Sequence, residues 1–115
     1  MPVNVRVVNE VVVLSNFGRL MNDPRHFDAS RDVQDLIDRG YRKYVLELRG
    51  LGAMGTSGVG LLVTLARLVR KHDGEIVLAA PTPAMERLLE ELRLDSFWDV
   101  FPGVEEAVAS LNTSS

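Results

Sequence analysis

Cysteine is absent from this 115-residue chain, which excludes disulfides and thiolate metal sites and suits a reducing compartment. Histidine is scarce as well. His26 and His72 stand far apart with no ligand spacing between them, so no metal site and no cofactor are expected. Positive charge is not in excess: 13 Lys and Arg against 16 Asp and Glu give a formal charge of −3, which leaves no electrostatic footprint for nucleic acid. The one basic cluster, Arg67, Arg70 and Lys71 beside His72, reads as a solvated helix face. No apolar run reaches the roughly 18 residues of a membrane span, and Met1-Pro2-Val3-Asn4-Val5 does not open a secretory signal. A soluble, cytoplasmic protein without membrane insertion is the expectation, organised as one compact domain too short for a two-domain enzyme.

What is present is periodicity. Val3 to Val8 alternates apolar Val3, Val5 and Val7 with polar Asn4 and Arg6, a strand with one buried face. Asn9-Glu10 interrupts it and Val11 to Leu14 runs apolar, so the two strands form a β-hairpin, although Asn-Glu is not a favoured primed-turn pair. Asp23-Pro24 is an N-cap followed by a first-turn proline, and opens a helix to about Arg39. Val33, Leu36 and Ile37 form its inner face, Arg31, Asp32, Asp35 and Asp38 face water, and Gly40 ends it. Tyr41 to Leu48 supplies a third, central strand. A second helix from Ser57 to about His72 buries Val59, Leu62, Leu65, Ala66 and Val69, with Leu61 and Leu68 widening the stripe. Thr64, Arg67 and Lys71 fall on its opposite side.

Asp73-Gly74 closes that helix, and Glu75 to Ala80 is an interior fourth strand, parallel to the third across a right-handed crossover. Thr82-Pro83 caps a third helix whose apolar row is Met85, Leu88, Leu89 and Leu92. Phe97, Trp98, Val100 and Phe101 make a last short strand or a docking turn. Val104 to Leu111 is a terminal helix with Val104, Ala107, Val108 and Leu111 inward, and residues 112–115 should fray.

Chemistry concentrates between the third strand and the second helix. Gly55-Thr56-Ser57-Gly58 places two hydroxyls at a helix mouth, where unsatisfied N–H groups and the positive dipole end favour an anion or an attached phosphate. Ser and Thr are also preferred N-caps for structural reasons alone, and residue chemistry by itself favours the cap. Gly50-Leu51-Gly52-Ala53-Met54-Gly55 is formally G-x-G-x-x-G after a strand and before a helix. Two strands and a helix already precede it, the next strand ends Ala79-Ala80-Pro81 without a ribose-binding acid, and no second mononucleotide half follows. A Walker loop is excluded by the missing Lys-Ser/Thr pair.

Strand, loop, hydroxyl-glycine turn and helix, followed by Gly74-Glu75-Ile76-Val77-Leu78 and the Thr82 to Leu89 helix, resemble a STAS domain, specifically the single-domain bacterial anti-sigma factor antagonists (anti-anti-sigma factors). The resemblance covers nearly the whole chain, most specifically residues 44–95. It agrees with an α/β fold in the order β-β-α-β-α-β-α-β-α, a mixed four- to five-stranded sheet with about four helices, over a single domain at residues 1–111. It implies that Gly55 takes the Asp position of an Asp-Ser-Ser/Thr-Gly loop, Thr56 the phospho-acceptor position, Ser57 the next hydroxyl and second-choice acceptor, and Gly58 the helix-opening glycine. Gly18, Arg19 and Leu20 match a Gly-x-Leu/Ile segment expected near that loop. Met21 stands where an Asp is usual, with Asn22 and Asp23 adjacent.

Loss of both acids has two readings. A phosphate on Thr56 would meet less repulsion, or kinase recognition would be lost and a constitutive binding module left. The resemblance implies a binding protein and not an enzyme, with Thr56 as substrate. The implied partner is an anti-sigma factor with an ATP-binding kinase-like domain, a phosphatase being a further candidate, in transcription regulation during sporulation or stress response. Gly18, Met21, Asn22, Gly55, Thr56, Ser57, Gly58, Thr64 and Arg67 are the expected partner-binding positions. The alternative is a phosphorylation-independent interaction subunit of a transporter or stress-signalling assembly, docking through the second helix.

Overall fold

The computed structural model describes residues 4–15, 27–51 and 56–113. Its elements, in chain order, are β1 (Asn4–Val8), β2 (Val11–Ser15), α1 (Phe27–Asp38), β3 (Lys43–Glu47), α2 (Thr56–Lys71), β4 (Glu75–Ala79), α3 (Pro83–Glu91), β5 (Val100–Phe101) and α4 (Val104–Thr113). One sheet runs in the order β1-β2-β3-β4-β5. β1 pairs antiparallel with β2, and each later neighbour is parallel. A sheet that grows strand by strand in one direction, through crossovers of one hand, sends every crossover helix to the same face.

That is what the two cores record. Val12, Leu14, Tyr44, Leu46, Ile76 and Leu78 face α1, α2 and α3 in the larger cluster. Val11, Val13, Val45, Val77 and Ala79 face the other way, where Ala107, Val108 and Leu111 of α4 cover them. Strands buried on both faces read as continuous apolar runs, which accounts for Val11-Val12-Val13-Leu14. Val5 and Val7 share a face, as alternation predicts, yet Val7 stays 48% exposed because β1 is the sheet's edge. Leu92 departs from the predicted apolar row for a similar reason: it is the C-cap of α3, where the helix leaves its core, and is 38% exposed.

Helix ends carry most of the local detail. At α1 the Gly40 N–H donates to the Ile37 carbonyl (2.9 Å) and the Tyr41 N–H to Leu36 (3.1 Å), a Schellman ending with Gly40 at φ +102°. Tyr41 is therefore spent on the cap and β3 starts at Lys43, two residues later than predicted. At α2 the same pattern recurs: Asp73 donates to Arg70 (3.1 Å) and Gly74 to Val69 (2.9 Å). Here Asp73, not the glycine, takes the left-handed position at φ +63°. Gly74 serves another need. A Cβ on it would sit 2.6 Å from both the Arg42 carbonyl oxygen and Val69 Cγ1.

The hairpin turn has both central residues at positive φ, Asn9 at 48° and Glu10 at 69°, the combination a primed turn requires. The register Val8↔Val11 thus follows from a turn whose second residue is an unusual choice for it. The Asn9 carbonyl is held from the far end of the chain by Asn112 Nδ2 (3.0 Å), whose Oδ1 accepts from Lys43 Nζ (3.1 Å). Helix α4 accordingly continues through Thr113.

Candidate partner-binding edge at the start of helix α2

Parallel pairing brings the C-terminal ends of β2, β3, β4 and β5 to one edge of the sheet. Ligand and partner sites of open parallel sheets form at that edge. The segments that follow β2 and β3 leave from neighbouring strands there, at Ser15 and Glu47. Gly18, Met21, Asn22 and Gly55 lie in those segments, outside the described residues. What the structure does place is each segment's root and the helix to which the second one leads.

The root beyond β3 is tightly tied. Leu48 N–H donates to Ala79 of β4 (2.9 Å), extending the ladder, and Leu51 N–H closes a turn on the Leu48 carbonyl (3.0 Å). Gly50 supplies the φ of +75° that this turn demands of its third residue. The buried Leu51 then offers its carbonyl to Thr82 Oγ1 at 2.6 Å. That hydroxyl also accepts from Met85 N–H (3.2 Å), so one side chain caps α3 and anchors the chain leading to α2.

Helix α2 begins at Thr56 and contains Ser57 and Gly58 in its first turn. Gly58 is buried. No acidic residue stands in that turn and Arg70 and Lys71 stand in the last, so the α2 sequence puts no compensating negative charge at its positive end. Val59, Leu61, Leu62, Leu65, Ala66 and Val69 are all buried, holding α2 on the sheet. Thr64 and Arg67 are exposed on the opposite side, as their spacing predicts. Thr64 Oγ1 donates to its own helix at the Gly60 carbonyl (2.8 Å). At about 1.5 Å per residue it lies roughly 12 Å along the axis from Thr56, so Thr64 and Arg67 belong to the flank of α2 and not to its mouth.

The basic cluster divides. Arg67 and Lys71 are exposed, but Arg70 is engaged: its guanidinium lies 4.6 Å from the Phe97 ring centroid and donates to the Phe97 carbonyl at 2.7 Å. Phe97 in turn stands edge-on to Trp98, with centroids 4.6 Å apart, and pins the turn before β5. Sequence reasoning missed this, because the partners are 27 residues apart. It also missed Glu47, a mostly shielded carboxylate at the end of β3, 3.8 Å from the guanidinium of Arg49. Alternation held the signal, since Glu47 shares the face of the buried Val45. Away from this edge, burial pushes the Tyr44 phenol up to about 12, against a smaller opposing pull from Arg42, while its hydroxyl donates to the Tyr41 carbonyl (3.0 Å). Among the described residues no group of three or more His, Asp or Glu could hold a metal ion, and no helix is long and apolar enough to cross a membrane.

Among the described residues, a hairpin followed by three parallel strands, with three helices on one face and one on the other, defines the class of α/β domain to which the comparisons point. The STAS domain family model matches residues 4–107, and the chain belongs to that family. A Thermotoga maritima protein provisionally named an anti-sigma factor antagonist is 22% identical over 103 residues, covering 90% of this chain and 91% of that one. The anti-sigma factor antagonist SpoIIAA in its unphosphorylated form superposes with a TM-score of 0.79 at 22% identity, over 98% of each chain. A chain from the molecular architecture of the stressosome, a signal integration and transduction hub, superposes with a TM-score of 0.82 at 15% identity, over 95% of this chain and 96% of that one.

Proposed function

We propose that this protein is an anti-sigma factor antagonist: unmodified, it binds an anti-sigma factor that carries an ATP-binding kinase-like domain and so frees a sigma factor, and phosphorylation of Thr56 ends that binding. The observation that carries the reading is the start of α2 at Thr56, at the strand-end edge of the sheet, with no acidic residue in its first turn. A phosphate there would meet the positive end of the helix dipole. Its charge of about −1.5 to −2 would also stand in the partner interface, where desolvation and like-charge repulsion oppose docking. A penalty of ~2 to 3 kcal/mol weakens binding roughly 30- to 150-fold, enough for a switch. Ser57 is the second-choice acceptor; Gly18, Met21, Asn22, Gly55, Gly58, Thr64 and Arg67 complete the proposed contact surface. A phosphatase would reset the switch. The protein acts in the cytoplasm, as one domain, and catalyses no step itself.

Gly55 and Met21, where the family resemblance implies acids, favour a second reading: a constitutive interaction subunit that docks without phosphorylation. Intact mass of the protein recovered from its native cells separates the two. Added phosphate on the Thr56 peptide, lost in Thr56→Ala, is the expected result. An unmodified protein through growth, stress and starvation overturns the switch in favour of the constitutive subunit.

A further inference from the structure

Three candidates stand outside the α2 edge: a polar cavity beside Trp98, a basic hollow at the end of α1, and a groove between α3 and β5. The second is already spent. Arg39 pairs with Asp35, Arg42 donates to the Ile37 carbonyl and Lys43 to Asn112, leaving little charge for a ligand. Beside Trp98, the indole Nε1 is buried without a partner, but the hollow's polar lining selects no ligand class. The groove is different, because its floor and rim specify complementary chemistry.

Its floor is apolar: Pro81, Leu89 of α3 and Val100 of β5 line a hollow of about 270 Å³. Val100 is 43% exposed, which leaves one branched side chain of the last strand facing solvent. Leu92, three residues beyond Leu89 and so beside it on the helix surface, is exposed as well. The rim is acidic. Glu86 and Glu90, one helical turn apart, and Asp95 line the same hollow, and among the described residues none has an ion-pair partner.

The backbone adds a third element. Leu78 N–H donates to the Asp99 carbonyl (3.0 Å) and Ala80 N–H to the Phe101 carbonyl (2.9 Å). The carbonyls on either side of Val100 thus point into the sheet, and strand alternation turns the Val100 N–H and C=O outward, to an edge that no further strand covers among the described residues.

We infer that the α3–β5 groove is a docking site for an extended, basic segment of a partner protein, which adds as a short strand beside Val100, places an aliphatic side chain on the Leu89–Val100 floor and sets lysine or arginine against Glu86, Glu90 and Asp95. Edge pairing supplies register, the floor supplies desolvated contact and the carboxylates select the charge. A segment of the opposite charge is rejected at the same rim. The site does not depend on the chemistry at Thr56.

The probe is an acetylated nine-residue peptide of alternating lysine and valine, titrated into the ¹⁵N-labelled full chain. Saturable amide shifts confined to Leu89, Glu90, Asp95 and Val100 are expected. Glu86→Lys combined with Glu90→Lys should weaken binding at least tenfold with the spectrum otherwise intact, and Val100→Asn should weaken it too. Asp38→Lys, an exposed carboxylate change on α1, should leave it unaltered. Shifts scattered over the acidic surface, or equal losses in the Asp38 variant, overturn the proposal as unspecific attraction. Undiminished binding by a backbone N-methylated peptide overturns the strand-addition mode.

Discussion

The same substitution, glycine to alanine, should move stability in opposite directions at two positions only fourteen residues apart. Gly60 lies inside α2, solvent-facing, and a Cβ built on it meets nothing within 4 Å. Alanine there relieves the backbone entropy that glycine loses in a helix, a gain of about 0.8–1 kcal/mol. Gly74 carries no positive φ, but its Cβ would lie 2.6 Å from the Arg42 carbonyl oxygen, which is itself fixed by accepting from Glu75 N–H at 2.8 Å. The second obstacle, Val69 Cγ1, belongs to a residue that is 1% exposed and has nowhere to move. Relief requires β3 or the α2 terminus to shift, and such overpacking costs about 1–3 kcal/mol. The two variants should therefore differ by ~2–4 kcal/mol, or roughly 8–16 °C in Tm for a chain of this length. Urea unfolding followed by circular dichroism measures it as midpoints shifted up for Gly60→Ala and down for Gly74→Ala, at equal slope. A Gly74→Ala midpoint equal to wild type would refute the packing argument, since it would mean that the Arg42 carbonyl is not held where the strand ladder places it.

Two further outcomes follow from single side chains. The Tyr44 phenol, raised to about 12 against 10.0 when unfolded, stays neutral in the fold, so its contribution is complete below pH 10 and is lost as pH rises from 10 through 12. That is on the order of 3 kcal/mol; Tyr44→Phe should flatten the alkaline limb of the stability–pH curve, and an unchanged limb would sink the assignment. Thr82→Ala removes both the α3 cap and the donor to the Leu51 carbonyl, and should cost about 1–3 kcal/mol in thermal unfolding. Thr82→Ser keeps the hydroxyl and should recover most of it, so equal losses in both variants would show that the methyl, not the hydrogen bonds, matters.

How far the residues alone reveal this molecule depends on the range of the interaction. The hairpin, the apolar run of Val11 to Leu14, the central place of the third strand and the inward stripe of α2 were legible because each is written in residues close together in the chain. So was the end of α1, since Gly40 announces a left-handed residue. The end of α2 was legible too, at Asp73-Gly74, but not that Asp73 itself would take the left-handed position at φ +63°, as Arg93 does beyond α3 at φ +59°. The close approach of Arg42 that requires glycine at position 74 comes from a neighbouring strand. Position 73 must then turn the chain without it. At the candidate site the hydroxyls opening α2 were legible, as was the outward row of Thr64 and Arg67. The ties that hold the site's root were not: Thr82 reaches Leu51 across 31 residues and Arg70 reaches Phe97 across 27, distances over which no periodicity connects the pair.

The unequal coverage of the sheet also bears on synthesis. Among the described residues three helices cover one face, each made together with the strands it spans, while the opposite face has a single cover, α4, which is made after all five strands. A chain leaves the ribosome N-terminus first, and a domain folds as a unit. Until residues 104–113 clear the exit tunnel, Val11, Val13, Val45, Val77 and Ala79 remain wet. The five strands thus stay half-roofed until α4 is made.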